Sequence, residues 1–363
     1  MADPLHDALK SINTVAEMTA AFADENRCRQ FLEVLAWPTG RICPFCGFRR
    51  STRLAGRDTG RRARPGLYQC GSSTCRHQFT VTTRTPLHST KLPIRIWLTA
   101  TWLILQSDKG LSSPRLAEAL GVSQPTAWRL GHAIRLMLRQ ERPLTGIVEA
   151  DELFVGTPPD SLEHPNPGRG RKGLPRKAKI TILSTVERPL DLSPGAPAGE
   201  VRACSIDNRS SVAIGAAFDD TVDPGAHLMS DEAKAFMALG SGFASHDTVN
   251  HSQGEYVRGS VHTNAVDGFG DRVRRTIAGV FHHISQEHAD LYLGEIGFRW
   301  SQRTVTGRAL RQTRRGRSRV ATLWTRIPAA QQLPAALASI AGRQIRRTHN
   351  GGLIIKSNVA VFG

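Results

Sequence analysis

The chain has 363 residues, 40% of them hydrophobic, with a formal charge of +17 and a pI near 10.6. This length is enough for two or three domains. The positive charge favours a polyanionic partner, nucleic acid first, because each phosphate neutralised by Lys or Arg releases condensed counterions. Charge alone leaves open a basic surface that binds nothing. Neither a signal peptide nor an apolar run of roughly 20 residues is visible, so we expect a soluble intracellular protein.

Apolar spacing and breaker residues divide the chain into predicted segments, and the predicted fold class is multi-domain α+β. The five segments are a helical segment at 1–38, a cysteine-bearing segment at 39–86, a second helical segment at 87–145, a mixed strand and helix segment at 146–300, and a basic C-terminal tail at 301–363. A Pro, Gly and basic stretch at 156–176 indicates a mobile loop. The tail is either disordered or folds locally, with a hairpin as one option near residues 351–356.

Four of the six cysteines form two pairs in the cysteine-bearing segment. Cys43 and Cys46 have CxxC spacing, and Cys70 and Cys75 have CxxxxC spacing, so each pair can place two thiolates on one ion. Four thiolates complete the tetrahedron of a structural zinc site, and clustered cysteines in a reducing compartment are metal ligands rather than disulfides. The sequence therefore predicts a zinc ribbon with one structural zinc. The alternative is four unrelated buried thiols.

Residues 112–129 have the pattern of two short helices joined by a turn at Gly121. This pattern is typical of a helix-turn-helix segment, whose second helix enters the major groove of DNA. Gln124, Thr126 and Arg129 would then lie near base edges. A bihelical corner inside an all-α core is the alternative.

Acidic residues lie on two predicted strands and one predicted helix of the mixed segment. Asp151 lies in the first strand, Asp231 ends a later strand, and Asp267 lies on a helix with Arg274 seven residues further along the same face. Carboxylates that converge in this way can bind two divalent cations, and hard oxygen ligands suit magnesium or manganese. The alternative for each aspartate is a helix cap or a solvated strand end.

Several motifs together resemble the zinc-ribbon insertion-sequence transposases of the ISXO-two-like group, members of the DDE transposase superfamily. The similarity extends from about residue 28 to residue 303. The motifs that carry it are CPFCG at 43–47, GVSQPTAW at 121–128, VNHS at 249–252, GEYVRG at 254–259, HTN at 262–264 and FHHIS at 281–285.

The resemblance implies an RNase H-like α/β catalytic domain with a mixed sheet over residues 146–300. The first two family aspartates fall on Asp151 and Asp231. The third family acid follows the HTN motif by three residues, at Asp267, where glutamate is usual and is one methylene longer. A basic residue follows on the same face, usually lysine and here Arg274. The resemblance implies that these acids bind two magnesium or manganese ions.

The function implied by the resemblance is that of a DNA transposase, which binds the terminal inverted repeats of its element and catalyses metal-dependent strand cleavage and transfer. Its partners would be double-stranded DNA, as element ends and as target, and further copies of the chain on that DNA. The expected location is the cytoplasm of a prokaryote, in association with the nucleoid. A catalytically decayed or domesticated DNA-binding relative is one alternative, and a structure-specific nuclease or RNase H-type hydrolase is another.

Overall fold

The computed structural model describes residues 4–54, 65–156, 179–312, 318–340, 343–347 and 353–357. The chain divides into two compact units, one formed by residues 1–138 with 327–363 and the other by residues 139–326. The stretch at 156–176 that we expect to be a mobile loop lies outside the described residues from residue 157 onward.

Three short helices begin the first unit: α1 (Pro4–Lys10), α2 (Val15–Ala21) and α3 (Glu25–Ala36). The side chains of Thr14 and Glu17 cap each other's backbone amides at the start of α2, at 3.2 Å and 2.9 Å. Asp24 accepts a hydrogen bond from the amide of Arg27 at 2.6 Å and so begins α3. These caps satisfy amides that have no partner within their own helices, which fixes where each helix starts.

A small antiparallel sheet follows in the cysteine-bearing segment. Its strands are β1 (Ser51–Arg53), β2 (Tyr68–Cys70) and β3 (Gln78–Phe79), with β2 in the centre. Tyr68 and Phe79 are cross-strand partners and are both buried. Their rings pack against Trp37 at centroid distances of 5.7 Å and 6.0 Å, which gives this segment its few apolar contacts.

Three further helices follow: α4 (Ile94–Gln106), α5 (Ser113–Leu120) and α6 (Gln124–Met137). The indole of Trp102 on α4 donates a hydrogen bond to the carbonyl of Ile12 at 3.0 Å. Gly121 ends α5 with φ at +63°, a left-handed conformation that glycine adopts without strain. The turn between α5 and α6 comprises residues 121–123 and begins at the glycine where the sequence predicts a turn.

The second unit is built on a five-stranded mixed sheet. Its strands are β4 (Ile147–Val155), β5 (Ile180–Glu187), β6 (Val201–Ile206), β7 (His227–Asp231) and β8 (Ser245–Val249). Their order in the sheet is β6-β5-β4-β7-β8. The three strands β4, β5 and β6 are antiparallel neighbours, whereas β7 and β8 run parallel to β4. The central strand is therefore β4, and the carboxyl end of β7, at Asp231, lies beside the middle of β4.

Helices lie on both faces of this sheet. They are α7 (Ser211–Thr221), α8 (Lys234–Leu239), α9 (Asn264–Thr276) and α10 (Ala289–Ser301), with a two-residue strand pair, β9 (Val257–Arg258) and β10 (Val261–His262), before α9. Leu153 of β4 packs in one core with α9 and α10, while Val148 and Ala150 pack in a second core with α7 and α8. Because strand side chains alternate between faces, Glu149 and Asp151 point to the α9 side.

Glu149 connects the central strand to the start of α9. Its carboxylate is fully buried, and it accepts hydrogen bonds from the amides of Ala265 at 2.7 Å and Val266 at 3.1 Å. Arg188 donates to the same carboxylate at 2.6 Å, and Nδ1 of His262 lies 3.2 Å from it. Burial opposes the charged form, but the contact with His262 and the charge of Arg188 outweigh it, so the pKa of Glu149 lies below its ordinary value. We call this set of contacts the Glu149 clamp.

The region that the sequence analysis treats as a basic tail contains regular structure. Strands β11 (Arg303–Gln312) and β12 (Ser318–Arg326) form an antiparallel pair in the second unit. Helix α11 (Ala329–Ala338) and the antiparallel pair β13 (Arg343–Arg347) and β14 (Leu353–Ser357) belong to the first unit. Among the helices of the described ranges, none combines the length and the apolar character needed to span a bilayer.

The Glu149 clamp gives a prediction for stability. Replacing the buried Glu149 with Gln leaves the partly buried Arg188 guanidinium without its counter-charge. Breaking a buried pair costs about 3–5 kcal/mol. We expect the free energy of unfolding, measured by urea denaturation, to fall by that amount. Because the pKa of Glu149 is lowered by folding, the loss is fully present above pH 4.5, the ordinary glutamate value, and shrinks as the pH falls below it.

The matched control is Asp271→Asn on α9. Asp271 forms an exposed ion pair with Arg274 at 3.5 Å, and such pairs contribute about 0–1 kcal/mol. Equal losses in the two variants would contradict the role of the Glu149 clamp.

Candidate functional site

Three carboxylates meet where the carboxyl end of β7 lies beside the middle of β4. Asp151, Glu152 and Asp231 each place an oxygen within 4.8 Å of the others, and all three are partly buried. The two strands are parallel, with Glu149 opposite Met229, and this register sets Asp151 and Asp231 at the same level of the sheet. Asp231 also accepts a hydrogen bond from the amide of Ala233 at 3.0 Å. We call this set the carboxylate group.

Asp267 lies across from this group, in the first turn of α9. Its amide donates to the carbonyl of Thr263 at 3.0 Å, and its carboxylate lies 3.4 Å from the Thr263 hydroxyl. Within the described part of the chain, Asp267 is not one of the side chains that each place one oxygen within 4.8 Å of the others, and it therefore lies outside the carboxylate group. The charge of Asp267 nevertheless contributes to the raised pKa of Asp151, so the two carboxylates lie close enough to interact.

Negative charge is concentrated at this site. Burial, followed by the charges of Asp267 and Asp231, raises the pKa of Asp151 to about 7. Burial is also the main cause of the raised pKa of Asp267, and burial together with the charge of Asp231 raises that of Glu152. Each of these carboxylates is therefore harder to ionise than in water, and a cation placed among them would relieve the repulsion.

Two polar atoms beside the acids have no hydrogen-bond partner within the described ranges. One is the hydroxyl of Ser184, which is fully buried on β5 directly opposite Asp151. The other is Nε2 of His251, whose positive charge would lower the pKa of Asp267. Buried polar groups without protein partners are uncommon, and such atoms can contact a bound ion or water. Together with hard carboxylate oxygens, they fit a site for divalent cations such as magnesium.

The loop before α9 is fixed by its own network. Glu232 accepts hydrogen bonds from the amides of His251 at 3.0 Å and Ser252 at 3.1 Å. Backbone hydrogen bonds from its own amide, from Ser252 and from His251 lower the pKa of Glu232 to about 2. This arrangement connects the residue after Asp231 to the loop that carries His251.

Glu149, Glu152 and His251 are not identified from the sequence, although His251 lies in the VNHS motif and the two glutamates lie within two residues of Asp151. Glu152 follows Asp151 directly, so strand alternation predicts that their side chains point to opposite faces of the sheet. Only the three-dimensional structure shows that their carboxylates lie close together. Arg274 is exposed on α9 and pairs with Asp271 at 3.5 Å.

The four cysteines Cys43, Cys46, Cys70 and Cys75 come together in the small sheet. Their sulfur atoms approach in two pairs, Cys43 to Cys75 at 3.8 Å and Cys46 to Cys70 at 3.5 Å. Sulfurs bound to one tetrahedral zinc at about 2.3 Å would stand about 3.8 Å apart, so the observed spacing fits one zinc ion. Four protein ligands leave no open position, which suits a structural role.

The first turns of α6 expose the residues expected to contact DNA. Gln124 and Arg129 are exposed and Thr126 is partly exposed. Gln124 donates to the hydroxyl of Ser113 on α5 at 2.9 Å, and Thr126 lies 2.9 Å from the hydroxyl of Ser123. A cavity of about 410 Å³ lies beside this surface and is lined in part by Thr126 and Arg129.

Comparison with known proteins relates both sites to one group. Residues 143–301 match the family described as the ISXO2-like transposase domain, and residues 23–78 match the transposase zinc-ribbon domain. An uncharacterized protein in the transposable element ISH50 of Halobacterium salinarum is 24% identical over 259 residues, which cover 71% of this chain and 84% of that protein. The chain thus combines a match to a transposase zinc-ribbon domain with a match to an ISXO2-like transposase domain that follows it.

Proposed function

We propose that this protein is a DNA transposase that binds the terminal inverted repeats of its element, cleaves the strands at their ends and joins them to target DNA. The observation that carries the proposal is the carboxylate group of Asp151, Glu152 and Asp231, with Asp267 facing it, inside the transposase domain. The excess of basic residues, with a formal charge of +17, supports DNA as the partner.

In this proposal Asp151, Asp231 and Asp267 bind two magnesium or manganese ions. Such ions activate the attacking water or 3′-hydroxyl and stabilise the leaving oxygen of an in-line phosphoryl displacement. The protein's own contribution is to keep the carboxylates in position, and Arg274 would contact the DNA backbone beside them. The Glu149 clamp positions α9, and therefore Asp267, relative to Asp151.

The third carboxylate has two candidates. Asp267 occupies the place where the family usually has the longer glutamate, and it lies outside the carboxylate group. Glu152 lies inside that group, and its longer side chain compensates for its place on the opposite face of β4. We propose Asp267 as the third ligand and Glu152 as the residue that would replace it.

We propose an RNase H-like fold for residues 146–300. Three antiparallel strands extended by two parallel strands, with helices on both faces, support it. We retain the other segments as proposals: a helical segment at 1–38, a zinc ribbon at 39–86, a helix-turn-helix segment at 87–145 and a basic C-terminal region at 301–363. The zinc ribbon and the exposed start of α6 would recognise the element ends. Joining two ends requires at least two copies of the chain on DNA.

A catalytically decayed DNA-binding relative is the second candidate function. The observation that favours it is the position of Asp267 outside the carboxylate group, together with its short side chain. Such a protein would bind repeat DNA without cutting it.

The transposase proposal predicts magnesium-dependent cleavage of duplexes that carry the element's own terminal repeats. Asp151→Asn should reduce cleavage at least about a hundredfold, since it removes a cation ligand that contributes several kcal/mol to the transition state. The exposed Asp219→Asn on α7 is the matched control and should cleave normally. Binding without cleavage in manganese would favour the decayed relative, and cleavage that requires an RNA strand would indicate an RNase H-type hydrolase.

The two candidates for the third ligand predict different responses to cations. A bound cation raises the free energy of unfolding by RT ln(1 + [L]/Kd), about 2.7 kcal/mol at a hundredfold excess over Kd. Glu152→Gln and Asp267→Asn each remove one charge, so their thermal unfolding without cation should change similarly. We expect magnesium to raise the Tm of wild type and Glu152→Gln, and much less that of Asp267→Asn. The reverse pattern would assign the ligand to Glu152.

The zinc proposal predicts about one zinc ion per chain. Cys46→Ser should lose the zinc and unfold the small sheet, because metal binding and folding are coupled in such sites. Cys204→Ser, on β6 and outside the cluster, is the control and should retain the zinc. Zinc content measured on the purified proteins decides this, and full zinc in Cys46→Ser would rule out the four-cysteine site.

A further inference from the structure

The strand pair β11–β12 lies beyond residue 301, where the transposase domain match ends. We call residues 303–305 and their partners 324–326 the base of this pair, and the base is anchored in the second unit. The guanidinium of Arg303 lies 3.8 Å from the ring centroid of Trp300 and 5.2 Å from that of Trp324. The amide of Val305 donates to the carbonyl of Ala196 at 2.9 Å. The base is thus held by α10 and by the loop between β5 and β6.

The outer part of the pair has different surroundings. A β-bulge between Val305 and Gly307 separates it from the base, and bulges increase strand twist. Beyond this bulge, β11 and β12 pair only with each other within the described residues. Leu310 and Val320 are direct cross-strand partners, and they are 71% and 64% exposed. An isolated two-stranded ribbon is only marginally stable in water, so a partner surface would stabilise it.

The charge of this strand pair is entirely positive. Residues 303–326 contain eight arginines and no acidic residue. Arg308 and Arg311 are exposed in the outer part, and they lie on opposite faces of the ribbon because strand side chains alternate. Arginine binds phosphate oxygens through a planar fork of donors, which suits a polyphosphate partner.

The dimensions of the outer part also suit duplex DNA. Six residues from Gly307 to Gln312 extend about 20 Å at the usual rise of a strand. The major groove of B-form DNA is about 12 Å wide and admits a two-stranded ribbon. In such a groove the arginines on both faces can reach the two flanking phosphate backbones, while Leu310 and Val320 contact apolar base edges such as the thymine methyl group.

We propose that the β11–β12 ribbon is a DNA-binding arm that inserts into a groove of double-stranded DNA. This inference rests on the proposed function, because it takes duplex DNA as the partner. It adds a further contact surface, distinct from the zinc ribbon and from the start of α6. Since the arm makes arginine contacts with phosphates, its contribution is expected to be sensitive to salt and tolerant of sequence.

The test compares the full-length wild type with a double variant, Arg308→Gln and Arg311→Gln, by fluorescence anisotropy on a random-sequence duplex. Each phosphate contact adds about 0.9 to the slope of log affinity against log salt. We expect the double variant to lose about one to two units of this slope and to bind at least about tenfold more weakly at about 0.1 M salt. A second variant, Leu310→Thr and Val320→Thr, should weaken binding and leave the slope unchanged.

Two control variants test whether the effect depends on the position and on the charge of Arg308 and Arg311. Lys10→Gln with Arg95→Gln removes the same charge from exposed positions on α1 and α4, and it should bind like the wild type. Arg308→Lys with Arg311→Lys keeps the charge and should keep most of the slope. Circular dichroism and Tm show whether each variant is folded.

The outcomes separate this proposal from the proposed function. Binding by wild type with an unchanged affinity and slope in the Gln variant would overturn the DNA-binding arm and leave the transposase proposal intact. A wild type that does not bind duplex DNA would overturn both. Unchanged DNA binding with a loss of self-association in the Thr variant, measured by analytical ultracentrifugation, would make the ribbon an interface between copies instead.

Discussion

The buried carboxylate of Glu149 receives hydrogen bonds from two amides of α9 and from Arg188, and it lies two residues before Asp151 on β4. A buried charge is tolerated only where partners surround it. The carboxylate of Glu149 on β4 can therefore be buried only when α9 and Arg188 are in place. Asp267 follows the two bonded amides of α9 within one turn. The spacing of the acids on β4 and α9 therefore depends on this one interaction.

The acids so positioned create a local field opposite in sign to the rest of the chain. The protein carries a formal charge of +17, yet burial, together with the charges of Asp267 and Asp231, raises the pKa of Asp151 to about 7. A divalent cation resolves this repulsion, and the basic surfaces attract the phosphates whose chemistry the cation would assist. The repulsion among the carboxylates favours cation binding, the basic surfaces favour DNA binding, and the proposed reaction needs both.

Much of the fold of the second unit follows from sequence pattern. The apolar run Val201–Ile206 forms β6, and the residues Val266, Phe269, Val273 and Ile277, which have helical spacing in the sequence, are all buried. The glycines Gly268 and Gly270 weaken a helix by roughly 1 kcal/mol each relative to alanine, yet α9 runs through both. The burial of the stripe and the bonds of Glu149 to the first turn compensate for this low propensity.

The sequence by itself determined the cysteine pairs, the strand and helix periods, and the motifs that carry Asp151, Asp231 and Asp267, because spacing and residue type are local properties. It did not determine the Glu149 clamp, the approach of Glu152 to Asp231, or the β11–β12 ribbon in a region of unpatterned arginines. These features depend on the order of the strands in the sheet and on the hydrogen bonds between buried carboxylates and distant backbone amides. Pairings between residues far apart in the chain are decided only when the tertiary structure forms.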